Sequence, residues 1–102
     1  MTIDLNFTIK NIEGNDMVII ELNKEGKEVE TNRPLVASDL VSRKLFNMPT
    51  KHAVKIGYWA EKLFKKEVLE LDPTDAKLLK EAISSFGLGA GIEAQILSKI
   101  TE

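Results

Sequence analysis

Residues 3–10 alternate strictly, with Ile3, Leu5, Phe7 and Ile9 on one side and Asp4, Asn6, Thr8 and Lys10 on the other. Successive side chains of a strand point to opposite faces, so this pattern predicts a strand with one wet face. Glu13-Gly14-Asn15-Asp16 is turn chemistry, and Met17 to Leu22 reads as a second, more buried strand. A hairpin joining 3–10 to 17–22 is therefore expected. Lys24-Glu25-Gly26-Lys27 offers another turn, after which Glu28-Val29-Glu30-Thr31 either extends the pairing or is loop.

Beyond Pro34 the period changes. Val36, Ala37, Leu40, Val41 and Leu45 fit a helical face over 35–46. Asn47-Met48-Pro49-Thr50 ends it, because the residue before a proline is pushed out of the α region, and Thr50 can cap the next helix. Over 51–66, Ala53, Ile56, Trp59, Ala60, Leu63 and Phe64 share an arc roughly 140° wide, with Val54 as the exception. Val68-Leu69-Glu70-Leu71 suits a third strand or an extended connector, and as a strand it can pair with the hairpin. Asp72-Pro73-Thr74-Asp75 opens a helix running to about Ser85, whose core positions are Leu78, Leu79, Ala82 and Ile83. Gly87-Leu88-Gly89-Ala90-Gly91 interrupts it, and Ile92, Ile96, Leu97 and Ile100 form the face of a last short helix. The fold class expected is α+β in the order ββααβαα, with the 51–66 helix laid across the sheet.

The chain has 102 residues, the size of one domain, and 43% apolar with 29% charged residues suffices to fill and cover one core. No apolar run approaches the roughly 20 residues of a membrane span, and the first residues lack the basic and apolar regions of a secretory signal. A cytoplasmic protein is expected. Without cysteine there are no disulfides, thiolate nucleophiles or cysteine metal sites, and the single histidine, His52, excludes multi-histidine metal sites. No cofactor is implied.

Charge changes the picture most. Residues 1–32 hold 3 Lys against 7 acids, residues 33–66 hold 8 Lys/Arg against 2, and residues 67–102 hold 3 against 7. On the 51–66 helix, Lys51, Lys55, Lys62 and Lys66 project within roughly 60° of arc, with Tyr58 beside them and Lys65 on the flank. Lysines interleaved with an aromatic can bind phosphates and stack a base. They are equally what a solvated helix face presents, balanced by Glu61 and other acids. The total charge of −2 and a pI near 5.5 run against a nucleic-acid domain. A helix-turn-helix built from 35–46 and 51–66 would have a proline turn and a reading helix without Arg, Asn or Gln for bidentate base contacts.

Other constellations fit structure better than chemistry. His52 falls near the edge of the apolar arc, where a histidine is expected to be partly buried and hydrogen-bonded. Ser38, Ser42, Ser84 and Ser85 lack a nucleophile-elbow setting, and Asp72 with Asp75 suits helix capping. The 87–91 glycines join two helices instead of following a strand, so they read as a connector, with Phe86 and Leu88 as an alternative apolar docking edge. Trp59 and Phe64 read as core.

Ile56-Gly57-Tyr58-Trp59-Ala60-Glu61-Lys62-Leu63, Glu67 through Asp75, Leu78-Leu79-Lys80 and Glu93-Ala94-Gln95-Ile96-Leu97 together resemble a group of small phage- and prophage-encoded proteins. The resemblance spans roughly the C-terminal half and implies a phage-associated setting, with no activity and no functional residues to carry over. The expectation is a non-catalytic protein that meets a protein partner with an acidic surface, or alternatively a nucleic-acid-binding regulator. The binding candidates in either case are Lys51, Lys55, Tyr58, Lys62 and Lys66.

Overall fold

The computed structural model describes residues 1–100. Its elements are β1 (Thr2–Ile3), β2 (Val18–Leu22), β3 (Glu28–Pro34), α1 (Ala37–Asn47), α2 (Ala53–Phe64), β4 (Leu69–Glu70), α3 (Pro73–Ser84) and α4 (Ala90–Leu97). The class is α+β: four helices with two antiparallel two-stranded sheets, β1–β4 and β2–β3.

The alternation of residues 3–10 is realised in burial, for Ile3, Leu5 and Ile9 are fully buried and Phe7 half-buried. Only Thr2 and Ile3 enter a ladder, opposite Glu70 and Leu69. The rest of the segment is occupied by the start of α1. Val36 offers no side-chain cap, and the free amides of the first turn bond instead to backbone: Ala37 N–H donates to the Phe7 carbonyl and Ser38 N–H to that of Leu5, both at 2.9 Å. Ile9 N–H in turn donates to the Leu35 carbonyl at 2.9 Å.

The hairpin expected between 3–10 and 17–22 is thus displaced. Its turn forms, closed by a Lys10–Asp16 bridge and by Met17 N–H to the Ile9 carbonyl at 2.8 Å, but pairing stops there. Leu35 N–H takes the Met17 carbonyl at 2.8 Å, and β2 pairs onward with β3. The reason is competition for the same backbone. Ile3, Leu5 and Ile9 are drawn into the helical core, whereas residues 28–34 offer only Val29 to a core and are free to pair in water.

Both turns share one construction. Asn11 Oδ1 accepts from the amides of Glu13 and Asn15, and Asn23 Oδ1 accepts from those of Glu25 and Lys27, all between 2.9 and 3.0 Å. Gly14 and Gly26 sit at the same place in each, at φ +85° and +78°, where a side chain would be strained.

Against the expectation of a helix laid across the sheet, the 51–66 helix packs chiefly against α1 and touches β4. With two narrow sheets there is no broad face to lie on. Its observed span is shorter: residues 51–52 form a turn, and the helix closes in a Schellman motif in which Glu67 N–H reaches the Lys62 carbonyl at 3.0 Å and Lys66 N–H that of Leu63 at 3.1 Å. Lys66 takes the left-handed position, φ +65°, where glycine is usual. At α3, Asp72 Oδ1 accepts from Asp75 N–H at 2.8 Å with Pro73 at the first helical position, as the sequence predicts.

One core gathers β1, the four helices and β4 around Leu5, Val41, Trp59, Leu63, Leu79 and Ile96. Residues 20–30 contribute nothing to it: every one is exposed, so the β2–β3 hairpin stands off the body as an arm. No helix among the described residues is long and apolar enough to cross a membrane.

Candidate docking surface

The lysine stripe is not a set of free charges. Lys55 Nζ donates to Asp75 Oδ1 at 2.7 Å, binding α2 to the first turn of α3. That hydrogen bond and the charge of Asp75 hold the Lys55 ammonium above its ordinary pKa, against a smaller opposing effect of desolvation, with Asp72 adding in the same upward direction. Lys66 lies past the end of the helix, and its Nζ donates to Asp39 Oδ1 at 2.6 Å and to the buried Ser38 Oγ at 3.1 Å. Lys62 lies over the exposed Tyr58 ring, 5.6 Å from the centroid. Lys51 is exposed in the turn before α2. Of the five candidates, Tyr58 and Lys62 therefore form one open patch and Lys51 is exposed ahead of the helix, while Lys55 and Lys66 tie α2 to its neighbours.

Three further expectations shift. His52 is exposed at the N-cap of α2 with no side-chain cap bond, because the helix starts after it and carries it away from the core. Phe86 and Leu88 are half-buried against the core, so the edge they make is only partly open. Trp59 is buried as expected, but Phe64 is 56% exposed, because it closes α2 at the rim of the helix pair instead of facing the core.

Phe64 belongs to a groove between α1 and α2. Ser42 and Ala60 give it a low floor, since neither side chain fills the space between the helices. Phe46, 71% exposed, lies on the α1 side, one turn beyond Ser42, and Phe64 on the α2 side, one turn beyond Ala60. The opening, about 340 Å³, is bordered by Arg43, Asn47, Glu61 and Lys65. Arg43 lies over the Phe64 ring, 5.5 Å from the centroid, so the charge is held against the aromatic. A second hollow on the other flank of α1 shares Arg43 and Asn47 and adds Leu40, Lys44, Met48 and Phe86.

Two phenylalanines this exposed, lining one opening with small residues between them, form a ready apolar seat, and the two cations at the border, against the single carboxylate of Glu61, would favour carboxylates on whatever enters. The groove holds no histidine, and among the described residues no three His, Asp or Glu side chains gather in a way that could hold a metal ion. Sequence reasoning missed the groove because the helical wheel places Phe64 on the apolar arc. The available signal was Phe46, which falls outside the apolar face of α1. Compared with known proteins, the chain matches no protein-family model, no curated protein and no solved structure.

Proposed function

We propose that this protein is a non-catalytic assembly module that holds an acidic, apolar segment of a partner protein in the α1–α2 groove. The observation that carries the reading is the pairing of exposed Phe46 and Phe64 across Ser42 and Ala60, with Arg43 and Lys65 at the border. Aromatic anchors with a neighbouring arginine are the usual composition of energetically dominant contacts. The nucleic-acid reading is weaker by comparison, since Lys55 and Lys66 are neutralised within the chain. A phage or mobile-element setting is supported by the sequence resemblance alone.

The test is amide chemical-shift mapping of the labelled protein with three probes: a synthetic amphipathic helix with leucines on one face and glutamates on the other, its lysine counterpart, and a generic DNA duplex. The acidic peptide shifts residues 42–47 and 60–65 and the lysine peptide does so far less. Phe46→Ser with Phe64→Ser abolishes the response. Shifts centred on Lys51, Tyr58 and Lys62 with the duplex, and none in the groove with the acidic peptide, reject the reading in favour of nucleic acid.

A further inference from the structure

We propose that the segment seated in the groove is the β2–β3 arm of a second copy of this chain, so that copies associate head to tail. The inference rests on the groove being a docking site and adds the identity of its occupant. Two strands alone are at best marginally stable in water, and this arm has no packing from the body along residues 20–30. What ties it internally lies on one face: Glu21 pairs with Arg33, and Thr31 Oγ1 donates to the Ile19 carbonyl at 2.7 Å. The opposite face carries Ile20 and Leu22, 57% and 69% exposed. Directly across the ladder from them stand Glu30 and Glu28.

That face is the chemical complement of the groove. Two aliphatic side chains and two carboxylates would meet two phenylalanines and the cations Arg43 and Lys65, which outnumber the single carboxylate of the lining, Glu61. The complementarity extends to the surroundings, because residues 1–32 carry 3 basic against 7 acidic groups and residues 33–66 carry 8 against 2. Phe46, Phe64, Ile20 and Leu22 are all exposed, so the arm does not fold back onto its own groove. Arm and groove are different patches, which makes the contact heterologous: it closes into a ring or extends as a filament.

The experiment is sedimentation velocity on the full chain from about 10 µM to about 1 mM, the range of weak specific contacts. Three forms are compared: the native chain, Ile20→Ser with Leu22→Ser, and Phe46→Ser with Phe64→Ser, with circular dichroism verifying each fold. The native chain associates with rising concentration, less so in high salt. Each variant alone is weakened by about 30-fold or more, as loss of anchor residues does. An equimolar mixture of the two variants forms a heterodimer and goes no further, because one supplies a groove and the other an arm. Glu28→Lys with Glu30→Lys gives the same loss without touching an apolar position. A native chain that stays monomeric at about 1 mM overturns the proposal. So does association lost in the arm variant but kept in the groove variant, which would mean arm pairs with arm, and so does a mixture that stays monomeric. If the native chain is monomeric and the acidic peptide still shifts the groove amides, the docking site stands and only its occupant is wrong.

Discussion

Lys66 occupies a position that favours glycine, and two substitutions separate what its backbone costs from what its side chain contributes. Its φ of +65° strains any residue with a Cβ by about 1–2 kcal/mol. Against that stand a half-exposed ion pair to Asp39, of a type worth about 0.2–1 kcal/mol, and a hydrogen bond to Ser38 worth about 0.5–1.5 kcal/mol. Lys66→Ala keeps the strain and loses both contacts, so it should cost about 1–2 kcal/mol. Lys66→Gly loses the same contacts but relieves the strain, offset by about 0.4–1 kcal/mol of added freedom in the unfolded chain. Glycine should therefore be more stable than alanine by about 0.5–1 kcal/mol and fall between the native chain and about 1.5 kcal/mol below it.

Thermal and urea melts of the three proteins measure this ordering, with glycine melting about 2–8 °C above alanine in a domain of this size. A cycle adding Asp39→Asn isolates the ion pair, with an expected coupling of about 0.2–1 kcal/mol. An alanine variant that melts with or above the glycine one removes the strain argument. An alanine variant indistinguishable from the native chain removes the tie, and returns Lys66 to the pool of free cations from which a phosphate-binding surface could be built.

Two further predictions concern the other ties of the helices. Lys55 has its pKa raised by Asp75, so the stability of that pair is fully present below the lysine pKa of the unfolded chain and is lost as pH rises through the folded value. The melting difference between the native chain and Lys55→Gln should hold from neutral pH upward and fade beyond about pH 10; a difference constant to about pH 11 rejects the assignment. Asp72→Ala should cost about 1 kcal/mol by freeing the Asp75 amide, and Asp72→Ser should restore most of it. A serine variant no better than alanine would show that the charge at the helix start, and not the cap, is what matters.

Legibility in the sequence followed the range of the interaction. Burial of Ile3, Leu5 and Ile9, the cap at Asp72 and the core face of Ile56, Trp59, Ala60 and Leu63 are each decided within a few residues, and all are as the pattern predicts. Strand partnership is not local. The two turns Asn11-Ile12-Glu13-Gly14-Asn15 and Asn23-Lys24-Glu25-Gly26-Lys27 have the same asparagine and glycine placement and the same hydrogen bonds, so neither announces which one closes the longer ladder. That is settled by α1, whose uncapped first turn takes the carbonyls of Leu5 and Phe7 and so denies residues 5–9 a continuous strand partner. A Ser, Thr or Asp in place of Val36 would have been a readable cap, and its absence was the one sequence sign that the amides needed backbone from elsewhere.

The site was hidden by the same limit. Helical periodicity put Lys55 and Lys66 on a free stripe and Phe64 in the core, because a wheel of one helix contains no information about α1 or α3. Asp39 and Asp75 claim the lysines, and the packing of α1 leaves Phe64 exposed in the opening that Phe46 also lines, with Arg43 over its ring. The charge division that is legible from the chain, acidic then basic then acidic, survives this redistribution in a different role. Part of the basic segment is spent holding the helices together. What remains unpaired around the groove, Arg43 and Lys65, is opposite in sign to Glu28 and Glu30 on the arm. A stripe that looked like a polyanion surface thus resolves into an internal brace beside a small apolar seat bordered by two cations and one carboxylate, and on the proposed reading such a seat would favour a carboxylate-bearing apolar segment over a phosphate backbone.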